Sequence, residues 1–298
     1  MKKSVSLLLA GLMLCGALAG CGGNDSYGAG ESGTDDSAAS TGTSGAITVI
    51  SREDGSGTRS AFVELTGVED DNGDNTTVDA EIANKTDVVL TSVAGNESAI
   101  GYVSLGSLND TVKAVQVDGV DATVENVKSG SYTLSRPFNI ATKGEPTGVA
   151  KDFINFILSA DGQAIVEEEG YIKVNDEAAA FTTDGSEGQI AVGGSSSVSP
   201  VMEKLIEAYK ALNPKAQIDL QTSDSTSGMT GAMDGTFAIG MASRELKDEE
   251  KAELTGTSIA LDGIAVVVNP ANTVSNLTMG QIKTIYTGET TDWADVAA

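Results

Sequence analysis

The run Ile50-Ser51-Arg52-Glu53-Asp54-Gly55-Ser56-Gly57-Thr58-Arg59 leads from a β-rich segment directly into an apolar helical pattern at Ala61, Phe62 and Leu65. A strand that hands over to a helix through glycines and small hydroxyls is the building unit of an α/β fold. The same junction can seat an oxyanion. Glycine lets the backbone close around a ligand, and the first N–H groups of the following helix point outward without partners. Ser56 and Thr58 add hydroxyl donors, and Arg52 offers a two-pronged, charge-assisted bond. One such loop is equally well an ordinary capped turn.

Two further loops repeat the pattern. Gly193-Gly194-Ser195-Ser196-Ser197-Val198-Ser199-Pro200 follows a strand-like Gln189–Val192 and opens a helical face at Val201, Met202, Leu205, Ile206, Tyr209 and Leu212. Ser199 is the expected N-cap there and Pro200 the first helical residue. Ser225-Thr226-Ser227-Gly228-Met229 follows Gln217–Thr222 and leads into a short helical turn at Met229–Met233. Three hydroxyl- and glycine-rich loops with a loop arginine form a donor set suited to a tetrahedral oxyanion. Three plain βα turns remain the alternative on this reasoning.

The rest of the body alternates in the same way. β-rich runs are expected at Ala46–Ser51, Val88–Val93, Ile100–Leu105, Val112–Val117, Gln217–Thr222, Phe237–Ser243 and Ile259–Asn269. Several are nearly continuous apolar runs, as buried strands of an α/β sheet tend to be. Helical faces are expected at Phe153, Phe156 and Ile157, continuing after a break to Ile165 and Val166, and at Ile282, Ile285 and Tyr286 ahead of Gly288. Asn175–Gly188 is polar, small and aperiodic, and reads as a surface linker.

Composition narrows the chemistry. The chain of 298 residues has no histidine, which excludes a Ser-His-Asp hydrolase, a His-ligated zinc site and histidine phosphotransfer. Its two cysteines, Cys15 and Cys21, lie at the N-terminus, so no disulfide, thiol nucleophile or thiolate metal site is expected in the body. An enzyme would need Ser56 as nucleophile with a lysine base, and Gly55-Ser56-Gly57 is not the G-x-S-x-G elbow. No cofactor and no metal are expected. Formal net charge is −25, a surface that repels nucleic acid and anionic lipid and would also repel an anionic solute. An anion site on such a chain must therefore win at short range, since screening limits surface charge effects to about 8 Å.

Lys2 and Lys3 precede an apolar run from Val5 to Leu18, the shape of a secretion signal and too short for a comfortable membrane span. The ending Leu18-Ala19-Gly20-Cys21 resembles the bacterial lipobox, which implies lipidation at Cys21. Residues 1–20 are thus expected to be a signal peptide. Residues 21–45, rich in Gly, Ser, Thr and Asp, are expected to be a flexible tether on the outer side of a bacterial membrane.

Several longer blocks sharpen the picture: REDGSGTR (52–59), AIGYVSL (99–105), SRPF (135–138), FINFILSADGQ (153–163), GGSSSVSP (193–200), TSG (226–228), MASRELKDEE (241–250), ALDGIAVVVN (260–269) and TGETTDWADV (287–296). Together they resemble the phosphate-binding lipoproteins of bacterial ABC uptake systems over essentially everything after the tether. The resemblance implies an α/β, two-lobed, periplasmic-binding-protein-like fold with a hinge, closing on inorganic phosphate. It also implies a permease and its ATPase as partners and a monomer that binds no nucleic acid. Arg52, Ser56, Gly57 and Thr58 match the family's arginine-and-donor cluster; Ser196, Ser197 and Thr226 or Ser227 match donors from the other loops. The family also uses a carboxylate to accept phosphate's proton and reject sulfate. In some members it follows the serine of the MAS-like motif, where this chain has Arg244. Asp262, which interrupts an apolar strand, is the replacement candidate and Asp54 the second. Arg136 is read as a hinge salt-bridge partner in preference to a second pocket cation. Receptors for sulfate or molybdate, or a surface sensor or adhesion protein, are the other functions compatible with these blocks.

The order of the blocks differs from the usual family pattern, in which the GSSS-like block comes first, so a circular permutation is expected. It would make each lobe contiguous, 46–135 and 136–298, with one covalent crossover near Ser135–Asn139.

Overall fold

The structure, a computed structural model, describes residues 43–296. Cys21, the signal segment and most of the tether lie outside the described residues. The apolar run at Thr48–Arg52 forms β1, and the Ser56 cap starts helix α1 at Gly57–Thr66. Strand β2 (Glu81–Ala83), helix α2 (Thr86–Ala94) and strand β3 (Ala99–Ser104) complete the first βαβ set. Both β2 and β3 lie parallel to β1. The run Val88–Val93, expected as a strand, is therefore the body of α2. Val89, Leu90 and Val93 are buried while Val88 is exposed, which is helical spacing that a short β-branched run conceals.

Strand β4 (Ser135–Thr142) is followed by helices α3 (Gly148–Ile157) and α4 (Ala160–Glu168), separated where Ser159 caps the second. Next come β5 (Gly188–Ser195), α5 (Ser199–Leu212), β6 (Ala216–Ser223), α6 (Ser225–Asp234) and β7 (Ile239–Ala242). Helix α5 begins one residue earlier than expected, with Val198 at the cap and Ser199 already helical. The long strand β8 (Thr255–Val268) and helix α7 (Met279–Tyr286) close the chain. Residues 175–187 carry no helix or strand, as expected of the linker. Asp152 nonetheless ties them down by accepting from Thr183 Oγ1 and the Asp184 amide.

The strands form one path, β6-β5-β7-β4-β8-β3-β1-β2, with the short strand Lys113–Ala114 also on β8. Strand β8 belongs to two sheets. Its residues 255–263 run antiparallel to β4, ending with Asp262 opposite Arg136 and Gly263 opposite Ser135. From Ile264 to Val268 it runs antiparallel to β3, pairing Ile264 with Ser104 and Val268 with Ile100. Beyond that change of partner, side chains alternate between two apolar layers. Ile264, Val266 and Val268 join Phe62, Tyr102, Leu277, Ile285, Tyr286 and Trp293, while Ala265 and Val267 join Ile50, Val89 and Val103. Phe62 stacks on Tyr102 at 3.9 Å, with Tyr286 against both rings.

This packing corrects the expected lobe boundaries. Residues 264–296 share their core with the first lobe, and the second lobe's core draws on residues between Phe138 and Ala260. The lobes are thus 46–134 with 264–296, and 135–263. The chain crosses between them twice, at Leu134–Ser135 and at Gly263–Ile264. The Ile264 amide donates to Leu134 O at 2.8 Å, so the two crossings lie side by side.

Candidate functional site

The three predicted loops converge at the cleft between the lobes. Arg52 ends β1, and its Nε donates to Ala83 O of β2 while its amide donates to the Tyr102 hydroxyl. Burial pushes the Tyr102 phenol above its usual range, so it stays protonated. The Arg52 guanidinium is gripped by Glu53 through two 2.8 Å bonds, and its Nη2 also donates across the cleft to Ser196 Oγ at 3.2 Å.

Helix α1 starts one loop further on. Ser56 Oγ accepts from the Arg59 amide, which leaves its own proton to donate, and the Gly57 and Thr58 amides have no intrahelical acceptor. Thr58 Oγ1 lies 2.9 Å from Ser197 Oγ, which lies 3.2 Å from Thr86 Oγ1 at the start of α2. The Thr226 amide and hydroxyl both donate to Gly55 O, at 3.1 and 3.2 Å. The Thr58–Ser197, Thr86–Ser197 and Thr226–Gly55 contacts join one lobe to the other.

Glycine is required where the lobes meet most closely. A Cβ on Gly57 would overlap Ser225 Oγ and come within 2.9 Å of Ser243 Oγ. Within the second lobe Gly228 passes so near β5 that its Cβ would fall 2.7 Å from Gly194 Cα.

Ser195, Ser225 and Ser243 form the floor. Ser195 Oγ donates to Ser243 Oγ at 2.9 Å, and the Ser243 amide donates to Ser225 Oγ at 3.1 Å. These three, with Thr86, escaped the sequence reading. The proline-marked helix start drew attention to Ser196 and Ser197, and Ser243 sits at the end of a strand with no turn signal. A cleft of about 180 Å³ continues outward from Ser196, lined also by Lys85, Thr86, Ser107, Ser199 and Thr222.

Two expected site residues fall elsewhere. Ser227 is exposed, and its hydroxyl and amide both donate to Asp224, the N-cap of α6. The helix start turns it outward and Ser225 inward. Asp262 is fully buried, accepts from Ser104 Oγ at 2.9 Å, and pairs with Arg136 Nη2 at 3.1 Å and Nε at 3.2 Å. Among the described residues, no hydrogen bond links it to the cleft hydroxyls. A charge buried in a strand must be paired, and the register of β8 against β4 supplies Arg136 as the partner. Burial pushes the Asp262 carboxyl up to about 6 despite Arg136. Asp54, the second candidate, is fully exposed and pairs with Arg59.

One arginine emerges from the structure alone. Arg244, 4% exposed, holds Glu250 through two bonds of 2.7 and 2.8 Å, and its Nη2 donates to Thr226 Oγ1 at 3.3 Å. Burial by itself would raise the Glu250 carboxyl, but bonds from Arg244 and the Lys247 amide bring it below its ordinary value.

The cluster is therefore a nest of hydroxyls and helix-start amides flanked by guanidinium groups. It can bind and orient an anion. Among the described residues no group of three or more His, Cys, Asp or Glu could hold a metal, and no helix is long and apolar enough to cross a membrane.

Comparison with known proteins gives a consistent picture. A family model described as "PBP superfamily domain" matches residues 29–161 and 179–298, skipping most of α4 and the start of the linker. Phosphate-binding protein PstS 2 of Streptococcus agalactiae is 50% identical over 99% of this chain and 98% of its own length. Phosphate-binding protein PstS of Bacillus subtilis is 37% identical over 44% of this chain and 42% of its own. A crystal structure of a phosphate ABC transporter, phosphate-binding protein from Streptococcus pneumoniae TIGR4 is 46% identical. It covers 85% of this chain and 100% of its own, with a TM-score of 0.69.

Proposed function

The chain belongs to the PBP superfamily, alongside the PstS phosphate-binding proteins, and from that premise we propose that it captures inorganic phosphate between its two lobes for delivery to an ABC permease and its ATPase. The observation that carries this reading is the bond from Arg52 of one lobe to Ser196 of the other, in the midst of hydroxyls from both. Tetrahedral phosphate presents four oxygens, and donors that reach it from two lobes bind it fully only when both are engaged. The role is binding, with no chemical step.

The binding set is Arg52, Ser56, Gly57, Thr58, Ser196, Ser197 and Thr226, extended by Ser225, Ser243 and Thr86. Ser227 and Asp262 are left out on the geometry above. The protein acts outside the cytoplasm as a monomer, held to the membrane by lipid on Cys21. That anchor rests on the Leu-Ala-Gly-Cys ending. A circular permutation relative to other members is supported by the contrast in coverage. The streptococcal relative aligns end to end, while the Bacillus one aligns over less than half of either chain.

A broader oxyanion receptor is the second reading. It is favoured by one observation: among the described residues, no carboxylate hydrogen-bonds to the nest's hydroxyls to reject sulfate.

Titration calorimetry in phosphate-scavenged buffer, with phosphate and then excess sulfate, separates the readings. Tight phosphate binding that survives sulfate supports the uptake receptor. Equal binding supports the broader one, and no binding of either anion would remove both in favour of a sensor or adhesion role.

A further inference from the structure

Arg52 is not the only guanidinium at the nest. Each lobe presents one arginine, buried, gripped by a glutamate through two bonds and touching a cleft hydroxyl: Arg52 with Glu53 and Ser196, Arg244 with Glu250 and Thr226. Thr226 in turn donates to Gly55 O, so Arg244 stands one hydroxyl away from the opposite lobe. Its Nε is buried and has no hydrogen-bond partner among the described residues. A buried guanidinium N–H left unmade is costly, and native structures rarely keep one without a function or a partner yet to arrive. The charged groups around Arg244 are Glu245 and Lys247 beside it in the chain, Asp248, Glu249, Glu250 and Lys251 on the short helix that follows, and Asp224 at the start of α6.

The geometry points to Arg244 as a second cationic determinant of the oxyanion site, which selects the doubly charged form of its ligand. This deepens the phosphate-binding reading and rests on it. Two guanidinium groups, one from each lobe, match an anion with two negative charges better than one. Their glutamates hold them in place, so that little reordering accompanies ligand entry. The doubly charged form carries one proton fewer than the singly charged form, so the site has one fewer ligand proton to accept.

The test is titration calorimetry of wild type, R244Q and R244K with inorganic phosphate at pH 6 and pH 8, on either side of phosphate's second ionisation, with thermal melting of each variant. Wild type should bind more tightly at pH 8. R244Q should lose roughly 10- to 100-fold in affinity at pH 8, the range for a charge-assisted bond, and much less at pH 6. R244K should fall between, because it keeps the charge and loses the fork. An equal loss at both pH values, or affinity within twofold of wild type, overturns the inference while leaving phosphate binding intact. Failure of the wild type to bind phosphate would instead remove the reading on which it rests. Should R244Q fail to fold, R244K decides: its loss of affinity should be larger at pH 8 than at pH 6, and an equal loss at both or no loss overturns the proposal.

Discussion

Arg136 and Asp262 face each other at a paired register of β4 and β8, one residue before β8 leaves that partner for β3. Both side chains are essentially out of contact with solvent, at 1% and 0%. For both, burial outweighs mutual attraction: it lowers the guanidinium and raises the carboxyl to about 6. Burial thus costs each member much of what the pairing returns.

Replacing both members with apolar residues of similar size, Arg136→Met with Asp262→Leu, should leave stability at pH 7 unchanged or raise it by roughly 1–4 kcal/mol. Denaturant unfolding measures this, and a large loss would show that the ion pair is a net stabiliser. The sign with pH follows from the raised carboxyl. Stability from Asp262 is fully present below its ordinary value of 3.8 and is lost as pH rises through about 6. The stability of wild type minus that of Asp262→Asn should accordingly fall between about pH 4 and 6 and then level off.

Gly57→Ala tests the close approach of the lobes. Its Cβ would meet Ser225 and Ser243 across the cleft, so the variant should lose phosphate affinity by roughly 10- to 100-fold, the scale of a 1–3 kcal/mol overpacking. Alanine suits a helix start, and the ligand-free melting temperature should change little. Unaltered affinity would mean that binding leaves these groups apart.

The pair Ser225→Ala and Ser227→Ala separates the inward face of the α6 start from the outward one. Ser225→Ala should cost roughly 10- to 100-fold in phosphate affinity, as for a hydroxyl bonded to a charged ligand. Ser227→Ala should stay within about twofold. The reverse ranking, measured by calorimetry, would restore the assignment based on the loop motif.

Fragments test the lobe boundaries. Residues 135–263 hold β4 to β7, their helices and the first part of β8, and should fold alone with a cooperative melt by circular dichroism. Residues 46–135 lack the β8 segment, α7 and the closing turn at Trp293–Asp295, which supply Val266, Ile285, Tyr286 and Trp293 to their core, and should remain unfolded. A folded 46–135 fragment would reinstate the contiguous division.

Much of this architecture is written locally in the chain. The glycine and hydroxyl loops announce strand-to-helix junctions because capping and positive-φ demands are local; the first two lie where the motifs put them, while α6 already begins at Ser225, four residues before the expected turn at Met229. Arg52, Ser196 and Ser197 stand at such junctions, and the structure brings Arg52 and Ser196 together. Long-range facts are not legible in this way. Ile259–Asn269 reads as one buried strand because the period-2 pattern is the same whichever neighbour it pairs with, so the change of partner at Ile264 leaves no mark. Asp262 looked like a ligand because an acid in an apolar strand needs a reason, and the reason lay 126 residues away in Arg136. At Arg244 the motif points to a missing acid and says nothing of where the guanidinium lies.

A 14-residue strand shared by two sheets also sets how the lobes can move. The crossings at Leu134–Ser135 and Gly263–Ile264 are hydrogen-bonded neighbours, so they act as a leaf spring rather than as a pair of swivels. Separating the lobes must flex that doubled ribbon across its flat face. Twisting or shearing it would break ladder bonds. The direction in which the lobes can part is thereby built into the weave of the sheet.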